Sequence, residues 1–137
     1  MGEIRVKVKI TNAVDDELAR TGRLPKEQVR MYEADAMVDT GAVRSVIPPH
    51  VVQMVGASIR GNRVAEYADG RMETVGLTGA IIFDVMGRDT LEEALVLGDV
   101  VLIGQTVLEK LDLHADCANR RLIPNPAHPD QPVSKVK

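Results

Sequence analysis

Aromatic side chains are nearly absent from this chain of 137 residues: Tyr32, Tyr67 and Phe83 are the only three, and there is no tryptophan. A core must therefore be assembled mainly from aliphatic side chains, which favours strands rich in Val and Ile. Cysteine is just as scarce. Cys117 stands alone, so no intrachain disulfide can form, and a cytoplasmic protein with a free thiol is expected. No apolar run approaches the ~20 residues that a bilayer-crossing helix needs, which excludes a membrane partner from the expectations. An excess of one charge is missing too. Seventeen basic residues face 20 acidic ones, a net charge of −3 with the signs interspersed, so no basic field exists to hold nucleic acid.

The N-terminus alternates Ile4, Val6, Val8 and Ile10 with Arg5, Lys7 and Lys9, the pattern of a half-buried strand and not of a signal-peptide core. Met1-Gly2 opens like a myristoylation signal, but Val6 stands where that signal requires Ser or Thr. The length suits one domain, of a size that buries about two-thirds of its unfolded surface. We expect that domain over residues 1–123, followed by a tail over 124–137 that holds Pro124, Pro126, Pro129 and Pro132 and is unable to form a central strand or helix.

Along the chain, residues 3–10 are expected as the first strand. Residues 11–28, polar and broken by Gly22 and Pro25, read as a surface connection with a short helical turn around Asp15–Arg20. Val29–Val38 and Ser45–Pro48 read as strands, and His50–Val55 as one helical turn. Residues 58–67 and 71–85 read as two strands joined at Ala68-Asp69-Gly70, because Asp-Gly between apolar-bearing runs is a strong hairpin signal. Met86–Asp89 is expected as a polar turn, Leu91–Leu97 as a strand, Gln105–Leu111 as a short helix, and 112–116 with 120–123 as a last hairpin. Short strands punctuated by Gly, Pro and Asp, without alternating helices, predict a closed all-β domain with one short C-terminal helix.

The chemistry-bearing stretch is Ala36-Met37-Val38-Asp39-Thr40-Gly41-Ala42. An apolar strand delivers an acid into a Thr-Gly turn, and a carboxylate there is unfavourable unless hydrogen bonds satisfy it or a proton neutralises it. Gly41 permits the backbone to turn an amide toward the carboxylate, and the Thr40 hydroxyl is placed to lock the turn from behind. His50, His114 and Cys117 match no closed zinc spacing, so no metal is expected.

This stretch resembles the active-site loop of the retropepsin-like aspartic proteases. The resemblance covers roughly residues 30–123 through three landmarks in the family's order: Asp39-Thr40-Gly41-Ala42; Ala68-Asp69-Gly70 at the place of the flap tip; and Leu102-Ile103-Gly104 followed by a helix, the segment that braces the active-site loop. It implies a retropepsin-like acid-protease barrel working as a homodimer on peptide or protein substrates, with no cofactor. Asp39 would be the catalytic acid, Thr40, Gly41, Ala42, Ile103 and Gly104 its loop support, and Ala68, Asp69 and Gly70 the substrate-binding flap. Retroviral members pair an acid directly after the motif with an Arg directly after the later Gly. Here those positions are Val43 and Gln105, so the pair is absent as a unit.

Only one Asp-Thr-Gly is present, whereas hydrolysis by this route needs two carboxylates sharing a proton. A two-fold dimer supplies the second, because a residue beside the axis meets its own copy. Two uses of such a dimer are compatible with the sequence: an aspartic endopeptidase, or a non-catalytic dimer that binds peptides or protein partners.

Overall fold

The computed structural model describes residues 3–136, and the Met1-Gly2 pair weighed as a lipidation signal lies outside them. The first alternating segment forms β1 (Arg5–Asn12), with Val8 and Ile10 sealed in the core. It lies antiparallel to β2 (Met31–Val38) on one side and to β6 (Ile81–Val85) on the other. Nine strands make one sheet, in the order β4 (Ile59–Glu66), β5 (Met72–Thr78), β8 (Leu95–Val96), β3 (Val46–Ile47), β9 (Leu102–Ile103), β2, β1, β6 and β7 (Arg88–Glu92). Its outermost strands, β4 and β7, are not paired with each other. The expected closed barrel is thus a curled open sheet.

The core is aliphatic, as the scarcity of aromatics requires. Ile47, Val51, Val55, Ile81, Val85, Ile103, Leu108 and Leu111 are sealed from solvent around Phe83, the one aromatic among them. Each such side chain contributes roughly 1.5–3 kcal/mol through burial, and together they set which face of each strand turns inward.

The two expected helical turns are full short helices beside the expected C-terminal one. Residues 11–28 contain α1 (Ala13–Arg20) and a 3-10 turn at Lys26–Gln28. The Asn12 side chain caps α1 by accepting the Asp15 amide at 2.9 Å, and its own amide donates to the Val55 and Gly56 carbonyls. Asp15 is buried and accepts the backbone amide, Nε and Nη2 of Arg30 at 3.0, 2.8 and 3.1 Å. The Arg30 guanidinium holds its carboxyl below the ordinary range. α2 (Pro49–Val55) follows β3 (Val46–Ile47), and α3 (Gln105–Leu111) follows β9 (Leu102–Ile103).

The expected long strand 71–85 is two strands. β5 (Met72–Thr78) pairs with β4 and β8 (Leu95–Val96), and the chain then breaks at Gly79-Ala80 and crosses to the opposite limb as β6. The break is fixed by the buried Thr78, whose amide donates to Ala94 O while its hydroxyl oxygen accepts the Ala94 amide. The expected polar turn 86–89 shrinks to Met86-Gly87, both at positive φ, as a tight two-residue hairpin requires. Arg88 is therefore a strand residue. It is buried and donates to the carbonyls of Leu111, Asp112, His128 and Pro129.

The segment expected as a tail is tied back to the domain. Pro124 closes β11 (Arg121–Pro124), which pairs with β10 (Leu113–Asp116). The Asp112 carboxylate then gathers Asn125 Nδ2, His128 Nδ1 and the Val133 amide at 2.9, 2.6 and 3.1 Å. Among the described residues no helix is long and apolar enough to cross a membrane.

Candidate active site

β2 carries Ala36-Met37-Val38 and releases the chain at Asp39. β9 runs between the strand entering the loop and the strand leaving it, parallel to β2 through Met37–Leu102 and Val38–Ile103, and antiparallel to β3 through Val46–Leu102. The loop is therefore anchored at both ends on one central strand. The Asp39 amide donates to Ile103 O at 2.9 Å, and the Gln105 amide to Ala42 O at 2.8 Å.

The Asp39 carboxylate accepts the Gly41 amide at 3.0 Å, the contact that the Thr-Gly turn was expected to provide. It accepts no other hydrogen bond among the described residues, and Asp39 is half-buried. A carboxylate has roughly four lone-pair sites, so most of its accepting capacity remains open. Thr40 and Gly41 are exposed beside it. The Thr40 hydroxyl does not lock the turn from behind, for it has no partner among the described residues. Ser45 does that work instead. Fully buried, its hydroxyl oxygen accepts the Gly104 amide at 2.9 Å, tying the loop exit to the start of α3. Sequence reasoning passed over Ser45, although a lone hydroxyl opening an apolar strand was a usable signal.

Gly104 has a steric reason. A Cβ built there would lie 2.6 Å from both the carbonyl carbon and the oxygen of Arg44, backbone atoms that cannot swing aside. Ile103, beside it, is sealed in the core. Thus β9 and α3 support the loop through main-chain contacts that admit no side chain at one point.

Ala68, Asp69 and Gly70 form the tip of the β4–β5 hairpin and are exposed. Gly70 has φ +87° and donates its amide to Tyr67 O at 2.9 Å. Asp69 accepts the Arg71 amide at 2.9 Å, and Arg71 lies over the Tyr67 ring, 4.3 Å from its centroid. The Tyr67 hydroxyl bonds Glu73, which raises the phenol's pKa. The arm carries the exposed apolar side chains Ile59, Val64 and Met72, so the hairpin is ordered by its own contacts while its apolar surface stays uncovered in the single chain.

A cavity of about 450 Å³ lies beside the loop, bounded by Val43, Arg44, Arg60, Glu92 and Thr106 among others; Asp39 is not part of its wall. Among the described residues no three His, Cys, Asp or Glu side chains converge as a metal site would need. His50 instead packs edge-on against Tyr32.

No protein-family model matches the chain, and no curated protein matches it in sequence. Solved structures do. The retroviral protease-like domain of Ddi1 from Leishmania major is similar with a TM-score of 0.58 and 17% identity, over 92% of this chain and 90% of that one. The foamy viral protease-reverse transcriptase, solved in complex with an RNA/DNA hybrid, is similar with a TM-score of 0.51 and 17% identity over 77% of this chain. This chain spans 11% of that one. The chain has a retropepsin-like fold, a half-barrel of curled sheet with a few short helices.

Proposed function

We propose that the chain is an aspartic endopeptidase whose active form is a homodimer, with Asp39 of both copies meeting at the two-fold axis. One observation carries the reading: within a retropepsin-like fold, the Asp39 backbone is pinned at Ile103 while its carboxylate keeps most of its accepting capacity free. The two carboxyls share one proton. The charged one takes a proton from water as the water oxygen bonds to the scissile carbonyl carbon, and the protonated one gives its proton to the carbonyl oxygen. Collapse of the tetrahedral intermediate then breaks the C–N bond, with a proton passing to the departing nitrogen. No cofactor enters these steps.

The β4–β5 hairpin serves as the flap, Gly70 permitting its tip and the apolar arm covering bound peptide. The exposed Thr40, without a hydrogen-bond partner among the described residues, is available to contact a second copy in such a dimer. The protein that matches over most of its length is named for a retroviral protease-like domain, which supports this reading. The test is incubation with a diverse peptide library, with and without pepstatin, followed by identification of new termini. Cleavage by the wild type that is lost with pepstatin and in Asp39→Asn supports the proposal. Peptide capture without new termini assigns the dimer to binding alone.

A further inference from the structure

The Asp39 loop is held from a third side, by residues that neither the motif nor the missing Val43–Gln105 charge pair would indicate. Val43 O accepts the Thr106 amide at 3.1 Å. The Thr106 hydroxyl stands 3.0 Å from the same oxygen and 2.8 Å from Oε1 of Glu92. A hydroxyl has one proton to give, and an ionised carboxylate is the stronger acceptor. Glu92 is the last residue of β7, with a side chain only 7% exposed, and its second oxygen lies 3.3 Å from Lys110 Nζ. Lys110 also donates to Leu91 O at 3.0 Å. The result is a chain of contacts from β7 through the first turn of α3 to Val43, four residues beyond Asp39. Such a carboxylate needs partners to be tolerated near the interior, and both of its partners lie on α3.

We infer that Glu92 and Thr106 are positioning residues for the Asp39 loop, fixing α3 against β7 so that the amides of Gln105 and Thr106 hold the carbonyls of Ala42 and Val43. The inference deepens the endopeptidase reading and rests on it for its kinetic arm. A loop held to backbone carbonyls is sensitive to small shifts, since a misplacement of about 1 Å near reacting atoms costs up to roughly 100-fold in rate. Neither side chain hydrogen-bonds Asp39, so each is expected to act through the loop backbone and to change kcat more than KM.

The experiment compares Thr106→Val, Thr106→Ser and Glu92→Gln with the wild type in peptide cleavage and in hydrogen exchange of the backbone amides. Thr106→Val removes the hydroxyl and is expected to lower kcat about 10-fold or more with KM changed less than about twofold. It should also speed exchange of the Gly41, Gln105 and Thr106 amides about 10-fold. Thr106→Ser restores the hydroxyl and should return both readouts to within about threefold of wild type. Glu92→Gln keeps an acceptor but loses the charge, and should fall between the two. If Thr106→Val fails to fold, Glu92→Gln against Thr106→Ser makes the same comparison. Wild-type kcat and exchange in Thr106→Val, or equal impairment in Thr106→Val and Thr106→Ser, overturns the inference. If the wild type cleaves no peptide, the endopeptidase reading fails while the exchange rates still decide whether Glu92 and Thr106 hold the loop.

Discussion

Two aspartates sit at turns directly after a secondary-structure element, and their surroundings are opposite. Asp112 caps α3 in the left-handed region at φ 58°, and its carboxylate takes the Asn125 amide, the His128 ring and the Val133 backbone amide. The Asn125 hydrogen bond, with those of Val133 and His128, outweighs desolvation and lowers its pKa to about 2. Asp39 follows β2 and receives one hydrogen bond, from Gly41. The first carboxylate is occupied in holding residues 125–133 against the domain. The second is held by its backbone and keeps most of its accepting capacity open. A sequence shows two acids after apolar runs; the count of donors around each separates the structural acid from the one proposed for catalysis.

Exchanging the roles should fail in different ways at the two sites, and the largest effect is expected at Asp39. Asp39→Asn should lower peptide cleavage about 10³-fold or more while the melting temperature stays within about 2 °C of wild type. Calorimetry beside the cleavage assay checks both halves. Gly104→Ala should act on the support alone. Its Cβ would meet the Arg44 backbone at 2.6 Å, so a loss of about 1–3 kcal/mol in denaturant unfolding is expected, with cleavage falling because the loop must move.

At the other aspartate, Asp112→Asn should lower the melting temperature by roughly 4–8 °C and leave cleavage per folded molecule unchanged. The sign with pH follows from the direction of the shift. Because the Asp112 pKa is depressed on folding from 3.8 to about 2, its contribution is complete above about pH 4 and is lost as pH falls toward about 2. The wild type should thus lose stability over that window faster than Asp112→Asn, as read from urea midpoints at successive pH values. The smallest effect is expected at the hairpin tip. Gly70→Val forces a branched side chain to φ +87°, costing about 1–2 kcal/mol locally, and should raise KM more than it lowers the melting temperature.

The same contrast explains what could be read from the chain before its fold was known. β1, β2, the turn at Asp69-Gly70 and α3 carry local signals: alternation, an Asp-Gly pair, and Leu108 and Leu111 at helical spacing. The Asp39 loop was legible because its residues are contiguous. Ser45, Glu92 and Thr106 were not, since Ser45 acts on Gly104 and Glu92 on Thr106 across 59 and 14 positions of sequence. The break between β5 and β6 was hidden because residues 71–85 keep a strand-like pattern on both sides of Gly79-Ala80. The helical turn expected around Asp15–Arg20 is α1, whose start is marked by Asn12, an N-cap three residues ahead of Asp15. Burial of Arg88 had no local signal, because four carbonyls from distant segments create the site that accepts it.

A single chain holds one Asp39, and the proposed chemistry needs two. The most direct test is cleavage rate per chain measured across a dilution series, with sedimentation at each concentration to give the fraction of dimer. Specific activity should fall in proportion to the dimer fraction as the protein is diluted below its dimer dissociation constant. A monomer that retains full specific activity would contradict the homodimer proposal.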